Sequence, residues 1–397
     1  MKVYADHAAT TRMSEAAKQA MLNAMDTVWG NPSSLYTVGQ EAKTALEEAR
    51  EKMAALLGGA AREYIFTAGG SEADNQALIG AALLGAKKGK KHIISTKFEH
   101  HAVLHTLKKL EKEGFEVTLL DVHENGVVTA DEVKKAIRED TALVSVMYVN
   151  NEIGTVQPIR EIGAVCREKG VIFHTDAVQA VGHIPVNVEE DNIDLLSLSA
   201  HKFNGPKGVG ALYMRRGIRL KPLIEGGAQE NGRRAGTENV PGILGMVAAL
   251  EQAVENMEEN NQKILPMRDT LIEGLSAIPY SKLNGDREKR APGTVNFCFE
   301  GIEGESLLLL LDFAGISASS GSACTSGSLD PSHVLLSLGL PHEVAHGSLR
   351  LSIDTENTPE QMAYVVEQVN NAVTRLRAMS PVWEQLEKGE RRHLFAE

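Results

Sequence analysis

The chain has 397 residues, a formal net charge of -12 and 43% hydrophobic residues, of which few are aromatic. This length exceeds what one hydrophobic core usually serves, so we expect two domains, and the composition excludes a disordered chain. The negative charge argues against nucleic acid or an anionic membrane as the main partner. No apolar run reaches the length of a membrane span and MKVYADHAATT lacks the apolar segment of a signal peptide, so we expect a cytoplasmic protein.

Two helices are predicted near the N-terminus, on either side of a short rigid loop. Apolar residues recur at helical spacing in SEAAKQAMLNAM, which Ser14 can cap, and in GQEAKTALEEAREKMAALL. In the connecting loop WGNPSS, Asn31 precedes a proline, which favours an extended backbone at the asparagine. An amide that faces a cleft and a plain turn are both compatible with this pattern.

Short apolar runs then alternate with helical patterns. The runs are YIFT (64–67), HIIS (92–95), EVTLL (116–120), ALVSVMYV (142–149), VIFHT (171–175), DLLSLS (194–199) and GVGALYM (208–214). Because strands that are apolar on both faces are buried between helices, the pattern predicts an α/β domain with a mostly parallel, seven-stranded sheet. Ligands bind at the carboxyl ends of the strands in such sheets, so the loops after these runs form one predicted pocket.

A change of pattern near residue 257 predicts a domain boundary. Apolar residues keep helical spacing from Ile243 into the 270s, which predicts one long amphipathic helix. Beyond it, GTVNFCFE, ISAS and SLRLSI predict strands, and the segments around 307–312 and 358–378 predict helices. We therefore predict a large domain over residues 12–257 and a smaller α+β domain formed by residues 1–11 and 258–397.

Polar residues that a core would not bury without a function follow two consecutive strands. Asp176 and Gln179 follow VIFHT, and the second run ends in Ser199, His201 and Lys202. A pyridoxal phosphate enzyme needs a lysine that forms a Schiff base and an acid that keeps the pyridine nitrogen protonated. Ordinary loop polarity is the alternative for Lys202 alone, and the combined pattern favours the cofactor.

Three further patterns offer groups to the same pocket. Gly70 and Ser71 in GGSEADN stand at a strand-to-helix turn, which either binds a phosphate or is only a turn with an N-cap. His100 in KFEHHAV either stacks on an aromatic cofactor or caps a helix. Arg350 alternates with leucines in SLRLSI, so it is either a fork for a substrate carboxylate or a surface arginine.

The chain contains three cysteines, whose scattered positions indicate a reducing compartment and no disulfide framework. Cys166 lies in a helical pattern and Cys298 at core spacing, so both are predicted to be packing residues. Cys324 lies in SASSGSACTSGSLDPSH, which predicts an exposed, mobile loop. A cysteine there is a candidate nucleophile if a neighbouring group lowers its pKa.

The segment PHEVAHG contains the H-E-x-x-H pattern of zinc peptidases. Pro341 stands just before the pattern and Gly347 just after it, which leaves room for only a short helix. A zinc peptidase needs both histidines on a sustained helix together with a third ligand. We therefore predict that the match is coincidental and that the chain has no metal site.

The segments SLSAHKFNGPKG, HTDAVQAVG, TAGGSEADN, VNNEIGTVQP and SGSACTSGSLDPSHVL together resemble the NifS/IscS family of cysteine desulfurases, nearly end to end. The resemblance implies a fold-type I pyridoxal phosphate (PLP)-dependent transferase, with helices on both faces of the sheet and a cysteine loop at about residues 318–332. It implies that L-cysteine becomes L-alanine while its sulfur passes to Cys324 as a persulfide. The loop resembles that of the long-loop group, which favours delivery to an acceptor protein such as an iron-sulfur cluster scaffold, and the family implies a homodimer.

The resemblance also implies a role for each residue of the pocket. Lys202 would be the Schiff-base lysine and then the catalytic base, Asp176 would bind the pyridine nitrogen, and His100 would stack on the ring. The other implied cofactor contacts are Asn151 and Gln179 near the phenolic oxygen, Gly70, Ser71, Ser199 and His201 at the phosphate, and Thr237 at the phosphate of the partner subunit. Arg350 and Asn31 would hold the substrate carboxylate.

Two departures from the family pattern limit this transfer of roles. Ser71 stands where many relatives have threonine and keeps the hydroxyl, whereas His7 in YADHAATT receives no role. Two alternative functions remain open at this point. One is another fold-type I enzyme, such as a selenocysteine lyase or an aminotransferase, in which Cys324 is incidental. The other is a non-catalytic sulfur-transfer scaffold.

Overall fold

The computed structural model describes residues 1–320 and 331–395. In chain order, its strands are β1 (Val3–Tyr4), β2 (Tyr64–Thr67), β3 (His92–Thr96), β4 (Glu116–Leu120), β5 (Thr141–Ser145), β6 (Ile172–Asp176), β7 (Leu195–Ser199), β8 (Gly210–Met214), β9 (Ser281–Leu283), β10 (Thr294–Phe299), β11 (Ile316–Ser317) and β12 (Ser348–Ser352). The helices are α1 (Glu15–Thr27), α2 (Thr37–Leu57), α3 (Gly70–Ala86), α4 (His101–Lys112), α5 (Ala130–Ala136), α6 (Ile159–Lys169), α7 (Gln229–Gly232), α8 (Val240–Glu255), α9 (Met257–Ser276), α10 (Gly304–Phe313), α11 (His333–Ser337), α12 (His342–His346), α13 (Pro359–Arg377) and α14 (Pro381–Glu387).

The seven predicted runs form one seven-stranded sheet in the order β2-β8-β7-β6-β5-β3-β4. Strand β8 is antiparallel to both of its neighbours, and the pairs from β7 through β4 are parallel, so the predicted, mostly parallel sheet is confirmed. Strand β5 is shorter than predicted and ends at Ser145. Val146 and Tyr148 nevertheless still donate backbone hydrogen bonds to β6, at 3.1 and 2.8 Å.

Helices cover both faces of this sheet because its strands are apolar on both sides. Along β8, Ala211 and Tyr213 pack into a core that includes Leu46 of α2. Leu212 of the same strand packs on the opposite face, in a core that includes Leu78 of α3. This alternation is the two-residue period of a strand buried on both faces.

A smaller antiparallel sheet, β12-β10-β9, follows the central sheet in the chain. Strand β9 was not predicted, and the single long helix expected from Ile243 onward is wrong, because it is two helices, α8 and α9, divided at Asn256. The second core includes Val3, Leu271 and Val369, and β1 pairs with β11. The domain division at residue 257 stays a prediction. The packing of Val3 with Leu271 and Val369 in one core supports it. No helix within the described ranges is long and apolar enough to cross a membrane.

Candidate functional site

The carboxyl ends of β6 and β7 bring the predicted acid and lysine into one site. The two strands run parallel with Asp176 opposite Ser197, so the residues that follow them emerge at the same edge of the sheet. Lys202 lies in a short 3-10 turn directly after β7. Its Nζ atom donates hydrogen bonds to the carbonyl oxygens of Ala8 and Ala9, at 2.6 and 2.8 Å.

Asp176 is a buried carboxylate at the end of β6. Burial raises its pKa, and three groups oppose that effect: His100, the backbone N–H of Val178 and Lys202. The N–H of Val178 donates to Oδ1 of Asp176 at 2.9 Å, which fixes the orientation of the carboxylate. The site therefore holds an oriented acid within the electrostatic reach of an amine and an imidazole.

His100 stands at the N-cap of α4, where its Nδ1 atom accepts a hydrogen bond from the backbone N–H of Ala102 at 3.1 Å. The capping role that the sequence left open is therefore present. The imidazole also lies next to two acids, because one ligand atom each of Asp74, His100 and Asp176 falls within 4.8 Å of the others. Stacking of this ring on a cofactor stays a prediction.

The turn between β2 and α3 has room for an anion. Gly69 has a φ of 152°, which disfavours other residues, and the nearest atom to a Cβ built there is Oγ of Ser199 at 3.8 Å. A Cβ at Gly70 would lie 2.6 Å from Cγ2 of Val178, so the helix begins in contact with the loop after β6. Ser71 is exposed in the first turn of α3. Free N–H groups at the start of a 17-residue helix are suited to a phosphate.

An N-terminal segment, residues 8–11, crosses the site and binds several predicted residues. Nε2 of Gln179 donates to the carbonyl oxygen of Ala8 at 2.9 Å. Nδ1 of His201 lies 3.1 Å from Oγ1 of Thr10, and burial lowers the pKa of His201 to about 4, so its ring is neutral at physiological pH. The segment thus connects the lysine, the glutamine and the histidine through short contacts.

Arg350 on β12 is buried, so the alternative of a surface arginine is wrong. Its Nη1 atom donates to the carbonyl oxygen of Asn151 at 2.9 Å, and Nη2 donates to Oδ1 of Asp6 at 2.8 Å. Its Nε atom is buried without a hydrogen-bond partner among the described residues. This guanidinium therefore connects the small sheet to the turn after β5, and its Nε–H is left for a further group.

The structure does not bring every predicted residue to this cluster. Asn31 is exposed between α1 and α2, where its Oδ1 atom accepts from the backbone of Ser33 at 3.0 Å, and no hydrogen bond within residues 1–320 and 331–395 joins it to Arg350. Thr237 lines a separate cavity of about 180 Å³, together with Thr67 and Arg234. Cys324 lies outside the described residues.

The other two cysteines are buried packing residues, as predicted. Burial raises the pKa of the Cys298 thiol to about 12 and also raises that of Cys166, so neither is an effective nucleophile at neutral pH. The H-E-x-x-H segment forms only the five-residue helix α12. Its Glu343 pairs with Arg391 at 2.6 Å, as an ordinary surface acid does.

Comparison with known proteins identifies the family. The profile of the family "Aminotransferase class-V" matches residues 3–365. A protein of Clostridium botulinum named "Cysteine desulfurase IscS" is 54% identical over 392 residues, which cover 98% of each chain. The chain belongs to the IscS-type cysteine desulfurases of the class-V aminotransferase family. Members of this family are pyridoxal phosphate enzymes.

Solved structures of similar proteins have the same fold. A "NIFS-LIKE PROTEIN" superposes with a TM-score of 0.88 at 38% identity, covering 95% of this chain and 100% of the other. A structure described as "SspA in complex with cysteine" superposes with a TM-score of 0.79 at 36% identity, covering 89% of this chain and 99% of the other. This chain therefore has the fold of the fold-type I PLP enzymes, with a mostly parallel seven-stranded sheet.

The residues at the sheet edge fit the cofactor of this family. Asp176 offers a fixed carboxylate for the pyridine nitrogen, and Lys202 offers a primary amine for the aldehyde. The turn at Gly69 and Ser199 leaves space beside a helix N-terminus, where a phosphate group is stabilised. These groups match the chemistry of a ring nitrogen, an aldehyde and a phosphate.

Sequence reasoning missed two acids of this site, Asp6 and Asp74. Asp6 lies in DHAATT, and nothing in that turn indicates that it pairs with an arginine on β12, far along the chain. The burial of Asp74 could have been predicted from the sequence, because Asp74 shares the apolar face of α3 with Ala77 and Leu78, one turn further on. An acid on a buried helix face needs a specific partner.

Proposed function

We propose that this enzyme binds pyridoxal phosphate at the carboxyl ends of β6 and β7, removes sulfur from L-cysteine and carries that sulfur on Cys324. The observation that carries the proposal is the meeting of an oriented buried acid, Asp176, with an amine, Lys202, at one sheet edge. Membership of the cysteine desulfurase family supports the reaction, and the neighbouring structure that contains cysteine supports the substrate.

Each pocket residue has a proposed task toward the cofactor. When bound, pyridoxal phosphate supplies an aldehyde for the substrate amine and a ring that accepts electrons from the α-carbon. Lys202 anchors the aldehyde, Asp176 keeps a proton on the ring nitrogen and His100 covers the ring face. The remaining contacts come from Asn151 and Gln179 at the phenolic oxygen, from Gly70, Ser71, Ser199 and His201 at the phosphate, and from Thr237 at the phosphate of a second subunit.

Lys202 has a second proposed task as the general base. A neutral Nζ atom would accept the α-proton of the substrate, which is the proton that the bound cofactor would make acidic. The carbonyl oxygens of Ala8 and Ala9 accept hydrogen bonds from Nζ and set its position. They also stabilise the ammonium form after the proton has been taken.

Arg350 orients the substrate through its carboxylate, and we assign Asn31 to the same carboxylate. The guanidinium is held from two sides by Asn151 and Asp6, and its Nε–H has no partner within the described part of the chain. A fixed fork binds a carboxylate in one orientation, which positions the rest of the substrate relative to the cofactor.

The thiolate of Cys324 attacks the sulfur of the substrate. A sulfur–sulfur bond forms, the carbon–sulfur bond breaks, and its electron pair stays on the substrate carbon, which takes up a proton on the way to L-alanine. The persulfide on Cys324 is then available to an acceptor protein, for which an iron-sulfur cluster scaffold is our proposal. We propose that the enzyme works in the cytoplasm as a homodimer, with the domain boundary near residue 257.

A pair of lysine variants tests the cofactor assignment. Lys202→Ala should lose the visible absorbance of the bound cofactor and the formation of alanine from cysteine, because no other amine replaces it at the aldehyde. The matched control is Lys207→Ala, since Lys207 is an exposed lysine five positions further on in the chain. An unchanged spectrum in Lys202→Ala would contradict the proposal.

A further inference from the structure

Asp74 is a buried acid for which the reaction described above has no task. It lies in the first turns of α3, and only 1% of it is exposed. One of its oxygens, Oδ1, is buried without a hydrogen-bond partner in residues 1–320 and 331–395. A carboxylate so placed is costly unless a partner or a proton compensates its charge.

The closest neighbours of Asp74 include other acids. From β6, Asp176 lies so close that oxygens of the two acids fall within 4.8 Å of one another, and His100 at the start of α4 completes this group. Glu99, next to His100, is another acid and supplies no positive charge. Lys202 favours the charge of Asp176.

His174 on β6 does not neutralise Asp74 either. Its Nε2 atom is 3.6 Å from Oδ1 of Asp74, which is longer than a hydrogen bond. Both ring nitrogens are already engaged by hydroxyl groups, Nδ1 with Ser145 at 2.8 Å and Nε2 with Ser197 at 3.0 Å. Burial lowers the pKa of His174 to about 3, so the ring is neutral at the pH at which the enzyme works.

Two buried carboxylates this close do not both ionise, so one of them holds a proton. Asp176 has the groups that stabilise a charge, namely the N–H of Val178, His100 and Lys202. For Asp74, the Ser197 hydroxyl favours the charge, whereas burial, Asp176 and Glu99 oppose it, and His100 is shared between the two acids. The proton therefore belongs on Asp74.

We propose that Asp74 is a positioning residue that keeps a proton beside Asp176, so that the pair carries a single negative charge and directs it at the ring nitrogen of the cofactor. A protonated Asp74 brings no second negative charge next to Asp176, so the orientation that the N–H of Val178 sets is kept. The inference rests on the proposed function, because it uses Asp176 as the partner of the ring nitrogen.

Infrared spectroscopy of the full-length protein, with and without pyridoxal phosphate, tests the protonation state directly. A protonated carboxyl group has a C=O stretching band that an ionised carboxylate lacks. The difference spectrum between wild type and Asp74→Asn at neutral pH should show this band in the wild type, in both cofactor states. Its absence from the wild type would overturn the proposal. Asp191→Asn, which changes a buried acid that accepts from Tyr148 and Asn187, controls for the substitution itself.

Cofactor affinity separates a positioning role from a merely structural one. Asp74→Asn keeps a neutral donor and should bind pyridoxal phosphate within about twofold of the wild type, whereas Asp74→Leu should bind about tenfold more weakly. If Asn weakened binding as much as Leu, a charged Asp74 would be indicated and the proposal would fail. Asp176→Asn tests the proposed function separately. Unchanged affinity for pyridoxal phosphate in that variant would mean that Asp176 does not bind the ring nitrogen. The infrared band would still report whether Asp74 is protonated.

Discussion

The guanidinium of Arg350 is bound to the carboxylate of Asp6, with Nη2 and Oδ1 at 2.8 Å. The two residues are far apart in sequence, and their contact joins the N-terminal segment to β12 beside the turn that contains Asn151. The plane of this guanidinium is therefore already fixed. Under the proposed function, binding of the substrate carboxylate is the step that depends on this geometry.

Replacement of the Arg350 guanidinium should raise the KM for L-cysteine. In Arg350→Lys, a single ammonium cannot keep Asp6 and Asn151 while it also binds the substrate, so we expect KM to rise about tenfold with a smaller change in kcat. Steady-state kinetics measure both constants. Arg138→Lys, at an exposed arginine that pairs with Glu116 and Asp140, is the matched control and should leave KM as it is. An unaltered KM in Arg350→Lys would remove Arg350 from the substrate site.

A second buried ion pair should govern stability. Arg50 and Glu230 are both almost fully buried, their side chains meet at 2.5 and 2.7 Å, and Glu230 also accepts from the backbone of Phe66 at 3.0 Å. Glu230→Ala leaves a buried guanidinium without its anion, so unfolding in urea should show a loss of about 3–5 kcal/mol. Glu251→Ala breaks the exposed pair with Lys52 and should cost less than about 1 kcal/mol. Equal losses in the two variants would contradict this assignment.

Buried acids near the site should make the folded protein less stable as pH rises. Burial raises the pKa of Glu99 to about 8 and that of Glu152 to about 7, above the value near 4.5 of an exposed glutamate. Because the folded state holds these protons more tightly than the unfolded state, the stability they provide is complete below the unfolded pKa. It falls as pH rises and is lost above about 8.

Unfolding of the full-length protein in urea between about pH 6 and 9 measures this slope. Glu99→Gln mimics the protonated side chain, so the fall of the unfolding free energy with pH should be shallower than in the wild type. Glu258→Gln, at an exposed position of α9, should keep the wild-type slope. A wild-type slope in Glu99→Gln would mean that Glu99 does not titrate in this range.

The central sheet could be predicted because its strands are short, apolar on both faces and separated by helices. Local patterns also predicted the capping of α1 by Ser14, whose hydroxyl accepts from Ala17 at 3.1 Å. Local patterns did not predict the break between α8 and α9, which occurs at the polar residue Asn256. The helix expected from Ile243 continues in apolar spacing across Asn256, yet it ends at Glu255 and a new helix starts at Met257.

The candidate site could be predicted only in part from the sequence, because many of its contacts join residues that are far apart in the chain. Asp176 and Lys202 follow strands, and strand ends converge in a parallel sheet, so their proximity follows from the order of elements. The pairing of Asp6 with Arg350 depends on how the first residues fold back onto the small sheet, which no local pattern encodes. The task of Asp74 likewise emerges only when β6 and α3 are packed together.

Mass spectrometry of the protein after incubation with L-cysteine shows directly which residue takes the sulfur. We expect one added sulfur atom on Cys324, and none on the same protein carrying Cys324→Ser. Cys166 and Cys298 serve as internal controls, because both are buried and their thiols resist ionisation. A protein that forms alanine from cysteine without any added sulfur on Cys324 would contradict the account.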